Sequence, residues 1–454
     1  MKKTVVLLLC LVMIFATSCG ESVNKAVSDV LSSDVSSEDV SSENNGTPAE
    51  NSMGDIFDDG SSAPSNVANP SKIPQSSKNP ASNASGNPPA ASSTPAPTGK
   101  TVDINHFKGS ALNFSDLADH YSLTAAQKSL YPKILAGIKT GTKEIALGKV
   151  SADDIKRTFL VVRNTHPELC NLISTTYNMK QSGPSGGPYD YALVLEYNGS
   201  KSSDTLTNEM LNAIKGIKFT DTMTDFDKEL AVHDWLCSRV TYDNAAAANP
   251  EANFHAFTAY GAIVQGKAVC EGYSRAMQFI MAQLGIHTTL IGGEDSKGGP
   301  HMWNMIRIGG KWYHLDVTFN DTGSEDKGFI GHPYFNLTDA LIKKDHSYKA
   351  DYYKTGSGTD DVNPATISCT ATDAYYFIKT GSYIKSLAEF KTIAPQKVNE
   401  AVAAGKSYAE FAFSESYGTS SMLNESYIKS NYKNSSRNIK SYGKHSPQTF
   451  FFKF

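Results

Sequence analysis

Cys270, His301 and Asp316 are the residues whose types and surroundings could carry covalent chemistry. Cys270 stands directly before Glu271 to Leu284, a run with the spacing of a buried helix (Ala276, Met277, Ile280, Met281, Leu284). A thiol at a helix N-terminus sits in the positive end of the helix dipole, which favours the nucleophilic thiolate. The same place also suits a small buried cysteine with no chemistry. His301 and Asp316 flank Gly309-Gly310, a two-residue hairpin signal. If that turn holds, position 308 faces 311, Trp303 faces Asp316, and His301 becomes a diagonal neighbour of Asp316 on one face. An aspartate so placed can orient an imidazole as a general base. A structural His–Asp pair has the same spacing, and spacing alone does not choose between them. Gln265, shortly before Cys270, could donate to an oxyanion beside the Cys270 backbone N–H, or lie solvated in a loop.

These residues need a helix and an antiparallel hairpin packed together. His287 to Ile291 reads as a strand stopped by Gly292-Gly293, and His301 to Ile308 and Lys311 to Val317 read as the two arms of the hairpin. Helix followed by antiparallel strands argues an α+β fold. Upstream, Thr124 to Ile138 (with Pro132 inside), Asp153 to Arg163, Leu206 to Ile217 and Thr224 to Val240 have helical spacing, and Tyr189 to Tyr197 reads as a strand. Downstream, Tyr375 to Ile378 looks strand-like and Phe390 to Ala404 helix-like. This tail reads as an extension that packs on the core and finishes its sheet.

Three blocks together resemble the transglutaminase-like superfamily in its bacterial form: Ala268-Val269-Cys270-Glu271-Gly272-Tyr273-Ser274-Arg275, then His301-Met302-Trp303-Asn304, then Trp312-Tyr313-His314-Leu315-Asp316-Val317-Thr318-Phe319-Asn320. Tyr334-Phe335-Asn336-Leu337 and Asp345-His346 are similar to the segment that comes after that core in such proteins. The resemblance covers about Phe226 to His346. It implies a papain-like cysteine-protease core, with Cys270 as nucleophile at a helix N-terminus, His301 as general base and acid, and Asp316 as its orienter. It also implies thiolate attack on an amide carbonyl to give a thioester, which an amine or water then takes. The same family includes members without activity, so an inert surface module gripping peptide or cell-wall polymer in the same cleft is the other expectation. No cofactor and no metal are implied. Asp321 to Asp326 is acidic but lacks the ligand spacing of a calcium loop.

The chain of 454 residues carries a net charge of −4. Ten acids and three lysines place −7 in residues 20–99, and Lys2 and Lys3 add +2, which leaves +1 on the rest. A near-neutral body has no field to hold nucleic acid. Met1-Lys2-Lys3, the short apolar run Val5 to Ala16 and Ala16-Thr17-Ser18-Cys19 read as a signal peptide over 1–18, with a lipobox that is cut before Cys19 and leaves lipid on it. The Ser/Asn/Pro-rich segment 19–102 buries too little surface to order and reads as a disordered linker. The expected organisation is therefore signal peptide, linker, an N-terminal α/β region over 103–220, the catalytic core over 221–350 and an extension over 351–454. The expected protein is a monomer, exported and lipid-anchored to the outer face of the bacterial cytoplasmic membrane, acting on protein or peptide at the cell envelope. Cys170, Cys237 and Cys369 are an odd number, and spacing cannot pair them.

Overall fold

The structure is a computed structural model that describes residues 99–199, 201–321, 329–349, 362–417, 425–433, 439–446 and 448–454. The expected signal peptide, the expected lipidation at Cys19, nearly all of the expected linker and most of the Asp321 to Asp326 segment lie outside the described residues.

Helix α1 (Ala125–Lys139) begins where Thr124 and Gln127 cap each other's backbone N–H, and it buries Leu130, Ile134 and Ile138 on one face. Pro132 sits inside it without ending it. After β1 (Glu144–Gly148), helix α2 (Ala152–Thr165) starts at the Ser151 cap and is followed by β2 (Leu172–Ser182) and β3 (Asp190–Tyr197). The three strands form an antiparallel sheet in the order β1-β3-β2. Tyr121, Ile134, Phe159 and Leu193 close a core between these helices and strands.

Helix α3 (Ser203–Ile214) leads to α4 (Asp225–Arg239), again begun by a capping box, here Thr224 with Asp227. Helix α5 (Cys270–Gln283) is the buried one, with Ala276, Met277, Ile280 and Met281 wholly inside. It lies against a five-stranded antiparallel sheet in the order β7-β6-β5-β4-β8, made of β4 (Thr288–Asp295), β5 (Pro300–Ile308), β6 (Lys311–Leu315), β7 (Phe335–Leu337) and β8 (His346–Ser347). A single-turn helix, α6 (Val317–Asn320), leaves the end of β6. Beyond β8 come α7 (Tyr376–Lys379), β9 (Tyr383–Ile384), α8 (Leu387–Ala403), β10 (Tyr408–Phe413), β11 (Ser441–Ser446) and β12 (Thr449–Lys453). Their strands make a second sheet in the order β9-β10-β12-β11, over which α8 packs Phe390, Ala394 and Val398. The tail therefore builds a sheet of its own and does not extend the central one.

Three elements differ from the sequence reading, each for a physical reason. Strand β4 runs through Gly292-Gly293 to Asp295. A Cβ at Gly293 would lie 2.2 Å from the Ser347 carbonyl and 2.8 Å from the Trp303 ring, so this glycine marks a close approach inside a strand, not its end. The arm expected to reach Val317 stops at Leu315, because Asp316 leaves the ladder to cap α6 through Oδ1, which accepts from the Phe319 N–H at 3.0 Å. Tyr375 to Ile378 is a helical turn, its aromatics drawn into the core, where Tyr376 lies flat on His332. Among the described residues no helix is long and apolar enough to cross a membrane.

Candidate active site

The hairpin turn is the two-residue one that the glycines suggest. Gly309 and Gly310 both have positive φ, 57° and 82°, which the favoured hairpin turns require and glycine supplies at no steric cost. Pairing runs from Lys311 opposite Ile308 to Leu315 opposite Asn304. Asp316 leaves the ladder one residue beyond, and its Oδ2 still meets His301 Nε2 at 2.6 Å. His301 and Asp316 are both buried.

Cys270 is the first residue of α5, capped by Val269 without a side-chain hydrogen bond, and it is half-buried. Its thiol bears on the His301 side chain, whose pKa it helps to raise. Since Nε2 of His301 faces Asp316, the other ring nitrogen, Nδ1, serves the thiol. Two ties hold helix and strand in this relation. Ser274 donates to the Met302 carbonyl at 3.0 Å, and Asn304, on the opposite face from His301, donates to the Ser274 carbonyl at 3.0 Å. Gly272 permits the fit two residues from the nucleophile, because a Cβ there would lie 2.2 Å from the Ala256 carbonyl.

The electrostatics favour a protonated His301 beside an ionised Asp316. Burial acts to lower the pKa of His301, but the Asp316 charge and hydrogen bond and the Cys270 contacts outweigh it and hold the imidazole well above its ordinary value. Burial likewise opposes the charge on Asp316, yet His301 and His346 hold its carboxyl well below the usual range. The other described cysteines are free and poor nucleophiles. Burial pushes the Cys170 thiol up to about 12, and burial followed by nearby carboxylates raises Cys237 and Cys369.

Sequence reasoning missed two residues here. Tyr242 pairs in a short parallel bridge with Ala268, and burial first, then its neighbours Cys270 and Asp316, raise the pKa of its phenol. It occupies the place beside the nucleophile where an oxyanion donor would stand, and no local pattern marked it. Gln265, proposed for that role, ends the π-helical turn Gly261–Gln265 and is exposed, with no hydrogen bond to the triad among the described residues. His346 is the second. Its Nε2 lies 3.0 Å from the same Asp316 oxygen that holds His301. A recess beside Glu271, next to the nucleophile, is lined by Arg163, Leu169, Phe254, Phe257 and Arg275.

Among the described residues three clusters bring potential metal-ligand atoms within 4.8 Å of one another: His233–Asp234–His332, His301–Asp316–His346 and His314–Asp339–Cys369. In these clusters every ring nitrogen but His301 Nδ1 is already engaged in a hydrogen bond. They are self-satisfied polar networks.

Residues 216–317 match the model of the transglutaminase-like superfamily. Two curated relatives are similar: kyphoscoliosis peptidase from Mus musculus, 24% identical over 37% of this chain, and from Homo sapiens, 26% identical over 27% of it. The match covers 28% and 21% of those proteins, so the chain spans under a third of the relatives' length. Among solved structures, a TGase overlaps 40% of this chain and 52% of its own at 19% identity, with a TM-score of 0.23. A proposed cysteine protease from Cytophaga hutchinsonii overlaps 32% of this chain and 64% of its own at 15% identity, with a TM-score of 0.20.

Proposed function

We propose, from the match of residues 216–317 to the transglutaminase-like superfamily, that the chain is a thiol enzyme that opens amide bonds of protein or peptide through a Cys270 thioester. The observation that carries this reading is the 2.6 Å hydrogen bond of His301 to Asp316, with the Cys270 thiol at the first position of α5 acting on the same imidazole. His301 takes the thiol proton and becomes the imidazolium that Asp316 stabilises. The thiolate then attacks the amide carbonyl, and a tetrahedral oxyanion forms beside the Cys270 N–H and the Tyr242 hydroxyl. As the C–N bond breaks, the imidazolium gives its proton to the leaving amine, and the thioester remains on Cys270. An acceptor amine or a water, deprotonated by His301, then attacks the thioester and restores the thiol. An amine gives acyl transfer and water gives hydrolysis.

The setting is part of the same proposal. The signal peptide and Cys19 support export and a lipid anchor on the outer face of the bacterial cytoplasmic membrane, and the segment behind them supports a tether that presents a monomeric enzyme to envelope proteins or peptides. One experiment tests the chemistry: mass spectrometry of the protein incubated with a glutamine-containing protein and a primary amine. Amine incorporation means a transferase and new termini mean a peptidase. No product, with the triad intact, overturns the enzyme in favour of a module that only binds.

A further inference from the structure

We propose that His346 is a positioning residue of the thiol reaction: it shares the Asp316 carboxylate with His301 and, as a cation held between two carboxylates, limits how strongly that carboxylate holds the His301 proton. The inference rests on the catalytic reading of Cys270.

The geometry is specific. Asp316 Oδ1 is taken by the Phe319 N–H at the start of α6. Its Oδ2 meets two imidazoles, His301 Nε2 at 2.6 Å and His346 Nε2 at 3.0 Å. The other nitrogen of His346 faces Asp345 Oδ1 at 2.7 Å, and Asp345 Oδ2 accepts from the Tyr334 hydroxyl at 2.6 Å. Both nitrogens of His346 therefore face carboxylate oxygens. A neutral ring would set a lone pair against one of them, so the arrangement calls for the ring that donates twice, the imidazolium. Burial opposes that charge, but the hydrogen bonds to Asp316 and Asp345 outweigh it and raise His346 above its ordinary value.

Charge then alternates inward from Asp345: negative, positive on His346, negative on Asp316, positive on His301, negative on the Cys270 thiolate. The groups around His346 fit this order. Asp345 precedes it, Asp316 reaches it from the start of α6, His301 stands 5.3 Å away between ring centroids, and Tyr334 comes from the segment before β7. Trp303 and Phe319 close the sides with apolar rings. Asp295, the strand partner of His346, turns its carboxylate to the N–H groups of Lys297 and Gly299 in its own turn. With the cation in place, His301 feels a partly neutralised Asp316. Without it, His301 would hold its proton to higher pH and give it less readily to a leaving amine.

The test is the ratio of iodoacetate to iodoacetamide alkylation rates at Cys270, followed across pH. A neighbouring imidazolium favours the anionic reagent, so the ratio falls as His301 loses its proton. His346→Gln keeps a donor for Asp316 but no charge, and the fall should move up by about 1 pH unit. Asp345→Asn, which removes the carboxylate that keeps His346 charged, should move it in the same direction. Wild-type preference for Cys270 with an unmoved fall in both variants overturns this inference alone. A wild-type protein in which Cys270 alkylates no faster than Cys170 overturns the catalytic reading, and this inference with it.

Discussion

Stability should depend on pH through a buried histidine far from the thiol. His332 stands before β7 with Nδ1 2.9 Å from Glu410 Oε1 and Nε2 2.9 Å from Asp234 Oδ1, and its own N–H donates to Glu410 Oε2 at 3.0 Å. The ring of Tyr376 stacks on it at 4.0 Å. Burial opposes the charge on His332, but Glu410 and Asp234 outweigh it and raise the pKa from 6.5 to about 9. A group whose folded pKa lies above its unfolded one lends stability that is complete below the unfolded value and is lost as pH rises through the folded value. At about 1.4 kcal/mol per pKa unit, His332 should contribute about 3 kcal/mol at pH 6, lost by pH 9.5. The perturbation is Glu410→Gln, which keeps the shape and removes the charge that most raises His332. The assay is the urea midpoint of each protein at pH 6 and pH 9.5 under reducing conditions. The variant should start lower, because one face of a buried cation has lost its partner. It should then lose at least about 1 kcal/mol less than the wild type across the window. Other groups that titrate there cancel in the difference, so equal losses in the two proteins would refute the reasoning.

Three shorter predictions concern the site and its location. At neutral pH iodoacetamide should label Cys270 before Cys170, Cys237 or Cys369, read by peptide mass spectrometry, because burial raises the other three thiols; another cysteine labelling first would remove the nucleophile. Asp316→Asn should slow that labelling by at least about tenfold through lost orientation of His301, and it should also lower the melting temperature, since Asn keeps one acceptor but cannot serve two imidazoles and a helix cap together. Lower melting with unchanged labelling would make the pair structural. Cys19→Ala should release the protein from the membrane fraction, and retention there would sink the lipid anchor.

What could be read in the sequence was what nearby residues decide. The helical runs that begin at Thr124 and Thr224, the apolar face of α5 and the register set by Gly309-Gly310 are all local, and each appears in the structure. What could not be read was decided by chain remote in sequence. Gly293 looks like a strand breaker until Trp303 and Ser347 are seen against it. Tyr242 bears on the nucleophile only because Thr241–Tyr242 pairs with Lys267–Ala268. His346 reads only as part of the segment after the core, and its second neighbour, Asp316, lies 30 positions earlier.

The same logic gives the tail a role that its composition hides. Glu410 on β10 and Tyr376 on α7 hold His332 from the tail side, and Asp234 on α4 holds it from the core. Asp234 Oδ1 also accepts from His233 Nδ1, and His233 Nε2 accepts from the Asn320 amide at 3.0 Å. Asn320 ends α6, the helix that Asp316 begins, and its Oδ1 accepts the Tyr334 N–H at 2.8 Å. The Tyr334 carbonyl in turn accepts the Asp316 N–H at 3.0 Å. A continuous run of buried hydrogen bonds therefore leads from the second sheet to the backbone of the residue that orients the base. Each member but the half-buried Glu410 is buried, so losing one leaves its neighbours with unmet polar groups at a cost of about 1–3 kcal/mol. The tail is best understood as the far wall of the site's scaffold, and deleting it should strip His332 of Glu410 and Tyr376 before it touches any substrate contact.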